Sequence, residues 1–306
     1  MLTYIVRRVA LAIPTLVGIT LLVSAMLALT PGDPAQMLAG PDAPREVVER
    51  LRAELALDEP FLVQYGRFMT RAVQGDLGQS VRTGRPVIEE VGRRLLATLE
   101  LSGAALLIAI VLGIPLGTLS AVRPNTPLDY ASMFTALLGV SIPVFWLGML
   151  LMLLFAVQLG WLPAAGRGTI AHLILPATTL SAPTLAVIAR FTRSSLLEIL
   201  GADYIRTAKA KGLPERIVVL VHAMRNALIP ILTIIGVRIG ILIGGSVLTE
   251  TVFAWPGVGR LLVDSVRARD LPTVRGLVLI LALILVVVNL LTDLVYGVIN
   301  PKVRYE

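Results

Sequence analysis

Six long runs of the sequence are apolar and almost free of charge, and each is at least about as long as a bilayer-crossing helix needs. Five carry no charged residue, at 9–32, 101–122, 130–166, 168–189 and 276–292, and the sixth, at 226–249, carries only Arg238. The run 130–166 is too long for one span, and the Gly-Trp-Leu-Pro at 160–163 predicts one helix followed by an exit loop. The sequence therefore predicts an all-α membrane protein with six transmembrane helices.

The charges around these runs indicate which side of the membrane each loop occupies, because Lys and Arg in short loops stay cytoplasmic. Segment 31–92 holds seven arginines against ten acidic residues, whereas 190–225 holds seven cations against three acids. Arg7 and Arg8 precede the first run, and Lys302 and Arg304 follow the last. We therefore expect cytoplasmic termini and an external 31–92 segment. In a membrane protein the net charge of +7 indicates contact with membrane lipid, and we expect no nucleic-acid partner.

The first apolar run follows a cationic start, as a cleavable signal sequence does. Its apolar part is longer than the core of a typical signal, and no clear small-x-small cleavage site follows. We expect this run to be retained as the first helix.

This topology predicts three regions: 1–30 as the cytoplasmic N-terminus and first helix, 31–95 as an external subdomain, and 96–306 as a core of the other five helices. A Pro-Gly-Asp-Pro turn at 31–34 opens the external subdomain. Val47, Val48, Leu51 and Leu55 then have the spacing of an amphipathic helix. A second external segment, 250–275, carries aromatics beside a Pro-Gly pair, which is typical of a hairpin or partial re-entrant helix.

The cytoplasmic loop at 193–226 contains several helix-end signals. Gly201 suits a left-handed cap that ends one helix, and Asp203 suits the cap of a short helix at 204–211. Gly212 ends that helix, and Pro214 with Glu215 suits the first turn of the next. The loop is therefore predicted to be two short helices joined by a tight bend, a shape that can transmit rigid-body movement from a soluble partner.

The same loop resembles a known motif. Residues 203–213 (Asp-Tyr-Ile-Arg-Thr-Ala-Lys-Ala-Lys-Gly-Leu) and 222–230 (His-Ala-Met-Arg-Asn-Ala-Leu-Ile-Pro) resemble the EAA loop of bacterial ABC importer permeases. The general motif has Ile-x-Leu-Pro ten residues after its glycine, where this chain has His222 and a later Pro230. That departure resembles the B-type permease of the dipeptide, oligopeptide and nickel family. Short matches at 4–8, 31–34, 75–80, 244–253, 256–259, 293 and 300–301 follow that family's order.

This resemblance to a binding-protein-dependent transport inner membrane component implies a permease subunit of an ATP-driven importer of dipeptides or oligopeptides. It also implies a bacterial or archaeal plasma (inner) membrane, a second homologous permease subunit, two cytoplasmic nucleotide-binding ATPase subunits and an extracytoplasmic substrate-binding protein. In that family the EAA helix inserts into a cleft of the ATPase subunit. The implied coupling residues are Asp203, Tyr204, Arg206, Thr207, Ala208, Lys209, Ala210, Lys211, Gly212 and Leu213.

The lysines of the chain give an independent argument for a separate ATPase. A phosphate-binding loop ends in Gly-Lys-Ser/Thr, whereas the three lysines here follow Ala, Ala and Pro. We therefore expect no enzyme activity and no cofactor in this chain, with ATP and Mg bound by partner ATPase subunits.

Several residues are candidates for the translocation path or for an external gate. Arg238 is a cation in the middle of a span, which normally faces protein or water. Prolines at 143, 176 and 183 are expected to break helices and provide bends, and Asn289 and Asp293 share one face of the last helix. The path candidates are Arg238, Pro143, Asn289 and Asp293, and the candidates for a gate or binding-protein contact are Glu250, Phe253, Trp255, Pro256 and Gly257.

Two other classes of function stay open. An intramembrane hydrolase could pair Ser141 or Ser181 with His172, although His172 also suits the interface where the fourth span begins. Metal and thiol chemistry lack ligands, since the chain has two histidines and no cysteine. A secondary transporter is the other alternative, but no internal repeat is visible. Within the importer family, a nickel chelate or an oligosaccharide is the alternative solute.

Overall fold

The computed structural model describes residues 2–29, 33–40, 43–54 and 56–299. Across these residues the chain is helical, and its β-type pairing is one isolated antiparallel bridge between Gln79 and Pro86. The prediction of an all-α chain is confirmed for this part. Most of the expected turn at 31–34 lies outside the described residues, as do Leu55, the Asn-Pro pair at 300–301, Lys302 and Arg304.

In chain order the helices of the described residues are α1 (Leu2–Leu29), α2 (Pro34–Ala39), α3 (Arg45–Glu54), α4 (Phe61–Val73), α5 (Val87–Val122), α6 (Pro127–Ser141), α7 (Val144–Leu151), α8 (Ile170–Leu200), α9 (Asp203–Ala210), α10 (Glu215–Ile217), α11 (Met224–Val252), α12 (Val258–Arg267) and α13 (Leu271–Ile299). Two π-helical segments, Met152–Gln158 and Val218–Ala223, extend α7 and lead into α11. Helix α3 is the amphipathic helix expected near 45–57.

Five helices in the described ranges are long and apolar enough to cross a membrane: Val6–Leu29, Val87–Val122, Ile170–Leu200, Glu215–Val252 and Leu271–Leu294. A bent pair, Pro127–Ser141 with Val144–Gln158, gives a sixth if it is taken as one span. Each of the apolar runs in the sequence therefore contains helix.

The run 130–166 differs from the expectation of one helix, because α6 and α7 meet there at 107°. Pro143 causes the break. It lacks an N–H for the helical ladder, and its ring disfavours helical backbone at Ile142, which is extended at φ −80°, ψ 127°. The expected exit turn is present, since Gly160 has a φ of +62° and Trp161 beside it is exposed.

The other two prolines that were expected to break helices do not. Pro176 and Pro183 lie inside α8, which runs without interruption from Ile170 to Leu200. That expectation was wrong because packing on several sides holds a buried helix together despite the hydrogen bonds that proline removes.

Contacts divide the chain into two compact units. The first consists of Met1–Ala97 and Pro256–Val287. Its apolar core contains Phe68 of α4, Val87 of α5, Leu261 of α12 and Leu277 of α13. Tyr65 ties α4 to α1, because its hydroxyl lies 2.9 Å from the Thr20 hydroxyl and donates to the Val17 carbonyl.

The second unit consists of Thr98–Trp255 and Val288–Glu306, and α8 lies at its centre. Two neighbours approach the α8 backbone through glycines, Gly117 on α5 and Gly139 on α6. A Cβ at Gly117 would overlap the Ala189 carbonyl oxygen and the side chain of Thr192. Small residues at these contacts allow the close backbone approach on which helix association in lipid depends. The division into 1–30, 31–95 and 96–306 concerns membrane topology and stays a prediction.

Candidate functional site

Helix α9 carries most of the residues expected to couple the chain to an ATPase. Its start differs from the expectation by one residue, since Ala202 occupies the N-cap position and Asp203 is the first helical residue. The Asp203 carboxylate accepts a hydrogen bond from Arg206 at 3.3 Å. The prediction of a left-handed cap at Gly201 was also wrong. Its φ of −81° and ψ of −11° are ordinary right-handed values.

The two faces of α9 have different environments. Ile205 and Ala208, three residues apart, are buried, and Ile205 has no exposed surface. The remaining coupling candidates of the helix and the bend after it are exposed, except for half-buried Leu213: Asp203, Tyr204, Arg206, Thr207, Lys209, Ala210, Lys211 and Gly212. A face with three cations is therefore presented outward by a helix that is fixed on its inner side.

The inner face of α9 belongs to the apolar core of the second unit. Ile205 and Ala208 share one cluster with Ala121 at the end of α5, Leu196 on α8 and Ile231 on α11. A displacement of α9 would therefore reach three long helices through this shared cluster, because close-packed side chains transmit movement with little compression.

The bend after α9 depends on Gly212, as predicted. Lys211 ends the helix and Gly212 follows at a φ of +76°, a left-handed conformation that other residues rarely adopt. Pro214 is the N-cap of α10 rather than its first residue, and the helical path then continues into α11. The Tyr204 hydroxyl accepts a hydrogen bond from the Asn226 amide at 2.7 Å, which links the two arms of the bend.

The segment proposed as a gate or binding-protein contact is largely buried. Phe253 and Trp255 are 1% and 0% exposed, and Arg167 lies over the Trp255 ring at 5.8 Å. Glu250 has no exposed surface and accepts a hydrogen bond from Thr98 at 2.6 Å. In this structure these side chains support the turn after α11 from within, while Pro256 is exposed and Gly257 is buried. Helix α12 then occupies the place of the expected hairpin or partial re-entrant helix.

The path candidates lie on different helices. Arg238 on α11 is half-buried, and its Nε is shielded from solvent without a hydrogen-bond partner in the described residues. Arg190 on α8 is close enough to act on it electrostatically, and both are cations. On α13, Asn289 is exposed and Asp293 is half-buried. Pro143 lies at the bend between α6 and α7.

An ion pair that sequence reasoning missed lies near the ends of three helices. Asp129 on α6 is 1% exposed and accepts two hydrogen bonds from the Arg193 guanidinium on α8, both at 2.7 Å. It also accepts from the Ser120 hydroxyl at the end of α5 and from the Asn125 amide. Asp129 lies in the first turn of α6 and its partner is 64 residues away in the chain, so no local signal in the sequence reveals the pair.

The residues of the alternative hydrolase have other partners. The His172 Nδ1 lies 2.9 Å from the Thr169 hydroxyl in a capping arrangement at the start of α8, and the Ser181 hydroxyl donates to the Thr178 carbonyl. His172 therefore forms part of the cap at the start of α8. Across the described residues, no group of three or more His, Asp or Glu side chains is arranged to hold a metal ion.

Comparisons with known proteins cover the whole chain. A family model described as binding-protein-dependent transport system inner membrane component matches residues 113–305, and a model of the N-terminal part of such components matches 1–102. The dipeptide transport system permease protein DppB of Alkalihalophilus pseudofirmus is 43% identical over 333 residues, and the glutathione transport system permease protein GsiC of Salmonella paratyphi A is 46% identical over 306 residues. Both matches span 100% of each chain.

A solved structure shares the fold. An inward-facing conformation of the MetNI methionine ABC transporter matches with a TM-score of 0.58 over 70% of this chain and 97% of that chain, at 23% identity.

Removing the charge of Asp129 tests the buried ion pair. We expect Asp129→Asn to lower the stability of the purified chain by roughly 3 kcal/mol, because it leaves the Arg193 guanidinium without its counter-charge. Thermal unfolding in detergent measures the loss. Glu89→Gln is the control, since Glu89 pairs with Arg93 at an exposed site and should leave the unfolding temperature unchanged. Equal effects of the two substitutions would contradict a structural role for the pair.

Proposed function

Because this chain belongs to the family of binding-protein-dependent transport system inner membrane components, we propose that it is the permease subunit of an ATP-driven importer of short peptides. Family membership confirms the prediction of a permease subunit rather than an enzyme, and of a multi-pass inner membrane protein. Members of this family work with an ATPase and a substrate-binding protein, so ATP hydrolysis belongs to a separate polypeptide. The peptide cargo rests on similarity to permeases named for dipeptides and for glutathione, itself a small peptide.

The geometry of α9 is the observation that supports coupling best. Its buried face is part of the core formed by α5, α8 and α11, and its charged face is open to a partner. In the proposed mechanism an ATPase subunit grips the exposed face of α9. Closure of the ATPases on ATP and Mg then moves α9 as a rigid body and shifts the helices packed on it.

The proposed topology has six spans, with the bent pair α6–α7 crossing as one. Both termini and the α9 bend are cytoplasmic, and the segment 31–95 and the segment around α12 are external. Loop charges support this orientation, since 190–225 is rich in cations and 31–92 is rich in acids.

The proposed assembly pairs this chain with a second homologous permease subunit, so that the two enclose the path, and with two ATPase subunits. An extracytoplasmic binding protein delivers the solute. Arg238 is the best-supported path residue, because its buried Nε has no partner in the described residues, and an unpaired cation within a span is costly unless it faces water or an anion. Pro143, Asn289 and Asp293 are assigned to the path with it.

Reconstitution tests the proposed function. We expect proteoliposomes containing this chain, its second permease and its ATPases to accumulate a dipeptide when the binding protein and ATP are supplied. A substitution in the phosphate-loop lysine of the ATPase should abolish uptake. Nickel chelates and oligosaccharides are tested in parallel as alternative solutes. Peptide uptake driven by a proton gradient without ATP would contradict the importer assignment. Hydrolysis of the peptide by the isolated chain would contradict it as well.

A substitution at Gly212 tests coupling through α9. Gly212→Val should leave the complex assembled and ATPase activity present while peptide uptake falls, because a β-branched residue at a φ of +76° costs about 1–2 kcal/mol and shifts the bend. A Cβ there meets no atom within 4 Å, so the strain is confined to the backbone. ATP hydrolysis and uptake are measured on the same proteoliposomes.

Two control variants accompany Gly212→Val. Gly212→Asn should retain more uptake, since Asn tolerates left-handed backbone. Gly201→Ala, at the other end of α9, should be neutral because Gly201 is right-handed. Normal uptake by Gly212→Val would exclude the bend from the coupling pathway.

Removing Arg238 tests its assignment to the path. Arg238→Ala should reduce transport of the native solute far more than it reduces the amount of protein in the membrane, whereas Arg238→Lys should keep part of the activity because the charge remains. Uptake and quantitative immunoblotting of membranes separate the two effects. A parallel fall in both quantities would mean that Arg238 has a structural role.

A further inference from the structure

A cavity of about 480 Å³ lies within the first unit, and its lining includes neither α9 nor Arg238. Its walls come from α4, from the chain after α3, from the turn at 76–78 and from the start of α13. The volume falls in the range of small-molecule sites. Phe68, Leu77 and Pro272 supply apolar wall, and Arg67, Arg71 and Arg275 bring three guanidinium groups to the same space.

Arg275 is the unusual member of this set. Its Nε is shielded from solvent and has no hydrogen-bond partner, and the side chain forms no ion pair with any described residue. A guanidinium nitrogen that loses water without gaining a partner is costly, so such atoms in folded proteins normally meet an acceptor. Arg275 therefore lies where a ligand could supply the missing acceptor.

The carboxylate in the cavity wall, that of Asp76, already has partners of its own. Asp76 also lines the cavity, but its Oδ1 accepts from the Gly78 amide at 2.8 Å and its Oδ2 lies 3.8 Å from the Arg71 Nε. The Gln64 side-chain amide donates to the carbonyls of Leu57 and Glu59. Arg67 pairs with Glu59 at 2.6 Å, so the cavity charge that no carboxylate of the described residues neutralises is that of Arg275.

We infer that this cavity binds a short peptide through a carboxylate held by Arg275. A guanidinium matches a carboxylate in two parallel hydrogen bonds, and every peptide with a free C-terminus carries that group at neutral pH. Phe68 offers an apolar surface to a peptide side chain. The inference rests on the proposed peptide cargo and external orientation, and places a site for that cargo on the first unit.

Photo-crosslinking tests the site in the complete transporter complex. The probe is the dipeptide alanyl-p-benzoylphenylalanine, applied to the complex in phosphatidylcholine nanodiscs, with its C-terminal amide as the matched ligand. We expect mass spectrometry to find adducts within 53–78 or 272–275, and about tenfold fewer with the amide, which carries no negative charge to form an ion pair with arginine. In the wild-type complex, equal labelling by the acid and the amide, or labelling of other residues, would overturn the inference.

Substitutions assign the effect to Arg275. Arg275→Gln should reduce acid labelling to the level of the amide, and Arg275→Lys should give an intermediate level. Arg82→Gln is the matched control, since Arg82 is exposed on the same unit and does not line the cavity. An equal loss with Arg82→Gln would overturn the assignment to Arg275.

A lipid phosphate is the competing occupant. Native mass spectrometry of complexes in phosphatidylglycerol decides between them, because lipid retained by the wild type and lost in Arg275→Gln would assign the cavity to lipid and overturn the peptide site. Uptake by the same complex separates the two proposals. Acid-dependent labelling without peptide uptake would leave the site standing and remove the proposed cargo, whereas uptake with equal acid and amide labelling would remove the site alone.

Discussion

The close approach of α8 to its neighbours is the constraint on which the second unit depends. Lipid gives apolar side chains no reason to leave it for one another, so helices associate where small residues let backbones meet. Gly117 on α5 and Gly139 on α6 allow this approach to α8. Arg193 and Leu196 both lie on α8. The position of α8 therefore fixes both the ion pair with Asp129 and the cluster that holds α9.

Coupling follows from the contrast between the faces of α9. A helix of eight residues has little stability alone in water, and Ile205 and Ala208 hold this one in place by burial in the apolar cluster that α5, α8 and α11 also enter. The same anchoring leaves the cations of α9 exposed to a partner. Its two ends are also different, because Gly201 has ordinary right-handed backbone whereas Gly212 is left-handed and turns the chain sharply.

The buried arginines show how structure separates roles that look alike in sequence. Arg193, Arg238 and Arg275 all lie in apolar helices, and each loses hydration there. For Arg193, two hydrogen bonds to Asp129 replace the lost water. The Nε atoms of Arg238 and Arg275 have no such partner in the described residues. A cation that the fold itself does not satisfy is best explained by water or an anionic ligand, and this reasoning underlies both the path assignment and the proposed peptide site.

The sequence by itself determined the helical class, the apolar spans, the bend at Gly212 and the family resemblance. Each depends on local chemistry: the length of a charge-free run, a glycine that must adopt positive φ, or residues in a fixed order. Helix caps were less predictable, and Gly201 and Asp203 differ from their expected geometry because the preceding helix and the packing of α9 set the chain direction there.

Only the tertiary structure decided the rest. It bent the chain by 107° at Pro143 but kept α8 continuous through Pro176 and Pro183, since surrounding helices support one site and not the other. It also buried Phe253 and Trp255, joined Asp129 to Arg193 and gathered three arginines around one cavity. These features bring together residues that are far apart in the chain, and neither periodicity nor local charge encodes which distant side chains will meet.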